Sequence, residues 1–168
     1  NFVSDTASAT EPAARTTFNL PAVQLSSAPT TTATVKYAVT GGSATIGSDY
    51  VLFAGTLTFT PTGSLTRTIP ITLLPGSLSE ADETVQVTLS TPTNMLLGTN
   101  STTTLTLHDD GDREPKVGFQ LATSTAVESV KTAKLNVTLT ILSGQTVTVP
   151  YSVTSGTAVS VTAPTTTP

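Results

Sequence analysis

The sequence predicts an all-β protein: an antiparallel, seven-stranded, Greek-key sandwich of the immunoglobulin-like kind, followed by an incomplete second copy. Three observations predict it: an excess of threonine over charge, short apolar runs of period two between turn signals, and an internal repeat. Threonine fills 39 of the 168 positions, while only 11% of residues are charged, against roughly 25% in an average soluble domain. A β-branched side chain packs well on a pleat and keeps its hydroxyl wet, so a threonine-rich surface suits strands. Strong helix formers are correspondingly scarce.

The runs follow in order. An N-terminal strand is expected around Phe2, and a second over about Arg15 to Leu25. Val35, Tyr37 and Val39 alternate until Gly41-Gly42 breaks the strand. Leu57 and Phe59 alternate and stop at Pro61-Thr62-Gly63, and Ile69, Ile71 and Leu73 run up to Pro75-Gly76. Val85, Val87 and Leu89 end near Pro92; Leu105 and Leu107 are closed by Asp109-Asp110-Gly111-Asp112. Short alternating strands with such punctuation predict a sandwich. Pro70 cannot donate to a ladder, which implies an edge or a bulge.

After Asp112 the pattern restarts. Phe2 and Glu11 match Phe119 and Glu128 at the same separation, and "VKYAVTGGSA" from Val35 matches "VPYSVTSGTA" from Val149. The offsets are 117 and 114, so one connection is three residues shorter. The division expected is a complete sandwich over 1–112 and about three strands of a second copy over 113–168. Its second strand would carry Leu135, Val137, Leu139 and Ile141; its third would carry Val147, Val149, Tyr151 and Val153.

Composition excludes several functions. The net charge is −4, and the seven basic residues are scattered singly, which leaves no stripe to track phosphates. No run approaches the ~18 apolar residues of a membrane span, so neither nucleic acid nor membrane insertion is expected. Without cysteine there is no disulfide framework or thiolate metal site. His108, the sole histidine, precedes Asp109, but neighbours on a strand point to opposite faces, so they make no catalytic pair. Glu80, Asp82 and Glu83 lack the aromatic supply of a sugar cleft, since the chain has no tryptophan. No enzymatic activity is expected. The acidic balance and high threonine suit an extracellular or cell-surface protein. The chain starts at Asn1 without a leader pattern, and reads as processed, excised or only partly represented.

The segment from Thr40 to Asp112 resembles the Calx-β motif. Its landmarks stand in order: Gly42-Ser43-Ala44 with Gly47-Ser48-Asp49-Tyr50, the strand Gly55-Thr-Leu-Thr-Phe59, the acids Glu80 to Glu83, and the closing Asp109-Asp110. The resemblance covers residue 1 to about 112, and only the family's opening recurs in the second copy. It implies calcium held by carboxylates at one pole of the sandwich. By the motif, Glu11, Asp49, Glu80, Glu83, Asp109 and Asp110 fall where the family places ligands.

The strand order offers its own argument for such a pole. If strands alternate in direction, the odd-numbered ones end together, and these acids follow strands one, three, five and seven. Calcium takes six to eight oxygens on flexible loops. Pro75-Gly76 stands where many members carry an Asp pair, which implies one ion, with a second of low affinity open. The alternative is a set of solvated loop acids that blunt the sandwich end. In the second copy Glu128 persists but Ala163 replaces Asp49, so no complete site is expected there.

The function this predicts is a structural or adhesive repeat with a calcium-stabilised end, a subunit of a filament or homo-oligomer. In that reading, neighbouring copies of the same chain complete the half-copy by strand or half-domain complementation. The alternatives are an accessory module that attaches a secreted enzyme to a polymer, and a regulatory calcium sensor, which the missing Asp pair disfavours; the half-copy reads alternatively as a truncated piece of a longer repeat protein.

Overall fold

The computed structural model describes residues 1–112, 114–127, 129 and 132–157. Its first 112 residues form a sandwich. One sheet has five strands: β1 (Thr6–Thr10), β4 (Ala33–Gly41), β6 (Gly55–Phe59), β9 (Glu83–Thr93) and β10 (Thr102–His108), in the order β1-β10-β9-β4-β6. The facing sheet has β2 (Thr16–Asn19), β8 (Pro70–Leu73) and β5 (Tyr50–Val51), in the order β2-β8-β5. A short pair, β3 (Val23–Gln24) with β7 (Thr66–Arg67), extends it.

Alternation decides which side chains enter the core. Val85, Val87 and Leu89 of β9 interleave with Leu105 and Leu107 of β10, and all are buried, as are Val35, Leu57 and Phe59. Ile69, Ile71 and Leu73 cover them from the other sheet. The outward positions between them are largely hydroxyls: Thr84 and Thr88 on β9, Thr102, Thr104 and Thr106 on β10. Thr88 Oγ1 lies 2.7 Å from Thr40 Oγ1 and 3.2 Å from Thr102 Oγ1, so the threonines bond across strands.

The all-β sandwich agrees with the expectation; its details differ. The strand count before residue 112 is ten rather than seven, because Pro21 divides the run from Arg15 to Leu25 and two short strands were not anticipated. Phe2 lies outside β1 and forms a single bridge to Val23, fully buried. β1 pairs with β10 in parallel, not antiparallel; no hairpin joins the first strand to the last, so nothing imposes the opposite sense. Pro70 is the first residue of β8, where β5 pairs only Leu73 and Thr72. It therefore sits at a strand start, where a missing donor is tolerated.

In the second copy, β11 (Val117–Phe119) and β12 (Val137–Leu139) form an antiparallel hairpin. Phe119 pairs with Val137 as Phe2 bridges Val23, which puts the three-residue shortening ahead of Val137. The third strand expected over Val147 to Val153 is not formed. Its counterpart β4 is flanked by β6 and β9, and no such neighbours stand beside 147–153 among the described residues. The apolar side chains consequently lie open: Phe119 is 63% exposed where Phe2 is 0%. Glu128 and Ala163 lie outside the described residues.

Candidate metal centre

β1 and β10 both run toward the same pole, and the loops there carry the acids. Glu11 directly follows β1, and its N–H donates to the His108 carbonyl at 2.8 Å, so the end of β10 fixes its backbone. Asp49 sits in the turn before β5: its N–H bonds the Thr45 carbonyl, and its own carbonyl accepts the Leu74 N–H at 2.9 Å. Asp49 Oδ2 accepts the Thr45 N–H at 2.5 Å. Glu80 lies ahead of β9, and its N–H donates to Asp109 Oδ1 at 3.2 Å. The other Asp109 oxygen accepts the Gly111 N–H.

One carboxylate oxygen each from Glu11, Asp49 and Glu80 lies within 4.8 Å of the others. Glu83 opens β9, and its carboxyl is acted on by Asp49, Glu80 and Glu11. Asp109 joins them through the Glu80 backbone, while Asp110, exposed, acts on Glu11 through its charge. All six residues thus gather at one pole, three of them in direct ligating proximity.

The electrostatics are those of an unneutralised cluster. Glu11 is only 8% exposed, and its Oε2 is buried without a hydrogen-bond partner. Burial, then the charges of Glu80, Asp109, Asp49 and Asp110, push its carboxyl up to about 7. Glu83 is likewise pushed up to about 7, by burial first and then by Asp49, Glu80 and Glu11, and its Oε2 is also unpartnered. A buried carboxylate without a partner is costly, and a cation is the group that removes that cost. The donor set is all oxygen, which fits a hard cation such as calcium.

Three features escaped the sequence reading. A Cβ on Gly76 would collide with Glu11 Oε2, so the glycine that replaces a carboxylate there gives the Glu11 carboxyl its room. Asp112 buries an unpartnered Oδ2 and was left out of the site, although the run Asp109 to Asp112 announced it. At the rim, Asp82 Oδ2 meets His108 Nδ1 at 2.7 Å, both half-exposed.

The family model described as "Calx-beta domain" matches residues 2–111 and again 110–163. Among solved structures, the chain is similar to "calcium binding domain CBD12 of CALX1.1", with 24% identity and a TM-score of 0.57 over 65% of this chain and 43% of that one. It is also similar to the "Apo-form Calx CBD1 domain", with 22% identity and a TM-score of 0.52 over 65% of this chain and 94% of that one. The "Calx CBD2 domain" gives 20% identity and a TM-score of 0.54 over 65% and 85%. The chain spans less than half of the first of these, and at such identities the likeness is one of fold. No curated protein sequence matches the chain significantly.

Proposed function

Because the chain belongs to the Calx-beta domain family, we propose that it is a non-enzymatic structural repeat whose acidic pole binds calcium. Glu11, Asp49, Glu80 and Glu83 would supply the central oxygens, with Asp109 and Asp110 closing the outer side. The observation that carries this reading is Glu11, buried, unpartnered and surrounded by four other carboxylates. Bound calcium supplies positive charge; the chain supplies loops that hold converging oxygens in place. One ion accounts for the central cluster, and Asp110 with Asp112 leaves room for a weaker second.

The proposed setting is an extracellular or surface protein in which such copies follow one another. No helix among the described residues is long and apolar enough to cross a membrane. The polymer-binding alternative has less support: Phe2, Phe59 and Tyr50 belong to the core, leaving Phe53, Phe119 and Tyr151 exposed on separate segments. The test of calcium binding is calorimetric titration of the chelator-treated chain, repeated with Asp49→Ala plus Asp110→Ala. Absence of heat with the unsubstituted chain would remove the calcium reading.

The open apolar residues of the second copy favour a partner as well. Val137, Leu139, Val147, Val149 and Tyr151 are each at least 40% exposed. In this proposal a neighbouring copy of the same chain covers them by strand pairing, and a head-to-tail contact of that kind propagates as a filament unless it closes. Sedimentation over a concentration series tests it, and a monomer throughout would rule it out.

A further inference from the structure

β1 is held unlike the other strands of its sheet. Its inward side chains are only Ala7 and Ala9, both partly buried, whereas β4, β6, β9 and β10 each bury valine, leucine or phenylalanine. Burial stabilises in proportion to apolar area, so two methyl groups contribute little. β1 is also an edge strand, paired with β10 alone. Two anchors flank it: Phe2, fully buried, and Glu11, 8% exposed. The corresponding residues 123–127 of the second copy form no strand, and among the described residues no counterpart of β10 stands beside them. The pattern of β1 therefore does not hold itself in place.

The two anchors differ in kind. Phe2 is apolar, and its hold on the core needs no ion. Glu11 donates its N–H to the His108 carbonyl at 2.8 Å, and its carboxyl comes together with Asp49, ahead of β5, and Glu80, ahead of β9. That carboxyl thus joins β1 to loops of both sheets. Left to themselves these like charges repel, and the anchor lifts the strand end instead of fixing it. A bound cation turns the same contacts attractive.

We propose that calcium latches β1 through Glu11, and that without it the bared edge of β10 takes up the β1 of a second chain. The proposal rests on the calcium reading above. The exchanged unit is the arm ahead of β2, residues 1–15. Its departure frees the Thr104 N–H, which donates to the Asp5 carbonyl, and the His108 carbonyl. An edge of unpaired groups is a template for another strand. An identical β1 fits it best, because it brings Phe2 and Glu11 at the spacing of the two anchor sites, and exchange of identical elements restores each native contact. The matching run of the second copy would put Ser124 where Ala7 packs. Phe2 must leave its own core for the exchange, which is therefore slower than fraying at the Glu11 end.

The experiment uses the full chain, which has no cysteine of its own. Ser8 and Thr106 are register partners outside the ion centre. Chains carrying Ser8→Cys are mixed with chains carrying Thr106→Cys, held in excess calcium or in chelator, and then oxidised. The expected result is a mixed disulfide in chelator and none in calcium. Hydrogen exchange of the unsubstituted chain is read at the Thr104 amide and at the Leu20 amide, which donates to the Ile69 carbonyl within the core. In chelator Thr104 should exchange well ahead of Leu20. Calcium at about a hundred times its dissociation constant should slow Thr104 by about 100-fold. No mixed disulfide in chelator, or Thr104 as slow as Leu20 there, would overturn the proposal. So would a cross-link from Thr106→Cys to Thr125→Cys in place of Ser8→Cys, which would give the edge to the second copy. If calorimetry shows no calcium uptake, the function proposed above falls, whereas uptake without these changes removes the latch alone.

Discussion

Asp109 Oδ1 accepts the backbone N–H of Glu80 at 3.2 Å, tying the loop ahead of β9 to the segment after β10. A side chain that would contribute charge to the centre thus also holds the backbone of another ligand. Asp109→Asn keeps an acceptor oxygen and loses the charge, whereas Asp109→Ala loses both. Calcium affinity is expected to fall in both, further in Asp109→Ala, by about 10–100-fold in total. Calorimetric titration separates the two variants, and equal losses would show that the hydrogen bond contributes nothing.

Calcium that binds only the folded state stabilises it by mass action. At about a hundred times the dissociation constant the gain is about 2.7 kcal/mol, and each kcal/mol moves the midpoint of a domain this size by roughly 4–8 °C. Thermal unfolding in excess calcium should therefore lie well above unfolding in chelator. Asp49→Ala plus Asp110→Ala should erase the difference. An unchanged midpoint on chelation favours the solvated-acid alternative.

The ion-free protein should grow more stable as the pH falls. Glu11 and Glu83 ionise near 4.5 in the unfolded chain but only at about 7 in the folded one. Between those values the folded state holds protons that the unfolded state has released, so stability declines as pH rises through the window. In chelator the midpoint should rise on acidification from about pH 8 to about pH 5. In excess calcium the trend should flatten or reverse, because the ion needs both carboxylates ionised. Thermal scans in the two series check the sign.

Gly76→Ala isolates the space around Glu11. The added methyl would occupy the position of Glu11 Oε2, forcing the loop or the carboxylate to move. Because residue 76 is exposed and the clash is with the tip of a flexible side chain, the cost to stability should be small, and the effect should fall on calcium affinity, which is expected to drop. A variant that binds calcium as tightly as the parent would show that the loop gives way instead.

Much of the sandwich was legible because period two leaves little choice. Val35, Leu57, Phe59, Val85, Val87, Leu105 and Leu107 are buried as their spacing requires. The pole was legible too, since carboxylates at the ends of distant strands share a fate that sequence separation hides. What escaped depended on partners. The parallel sense of β1 on β10 is a matter of which strand lies alongside, and Val147 to Val153 alternate well without becoming a strand, with no neighbour beside them among the described residues. Gly76 escaped for a different reason: a glycine seen in place of an acid reads as a loss, and only the position of Glu11 shows the room it makes.

The parallel pairing of β1 with β10 has a mechanical consequence. The chain enters ahead of β1 at one pole and leaves after β10 at the other, and the two strands run side by side over Thr6 to Thr10 and Thr104 to His108. Tension along the chain therefore drags β1 and β10 lengthwise past each other in opposite directions. Their hydrogen bonds are loaded in shear and must yield together, whereas a hairpin pulled from its open end unzips one bond at a time. A string of such units would resist stretching at the seam between its first and last strands.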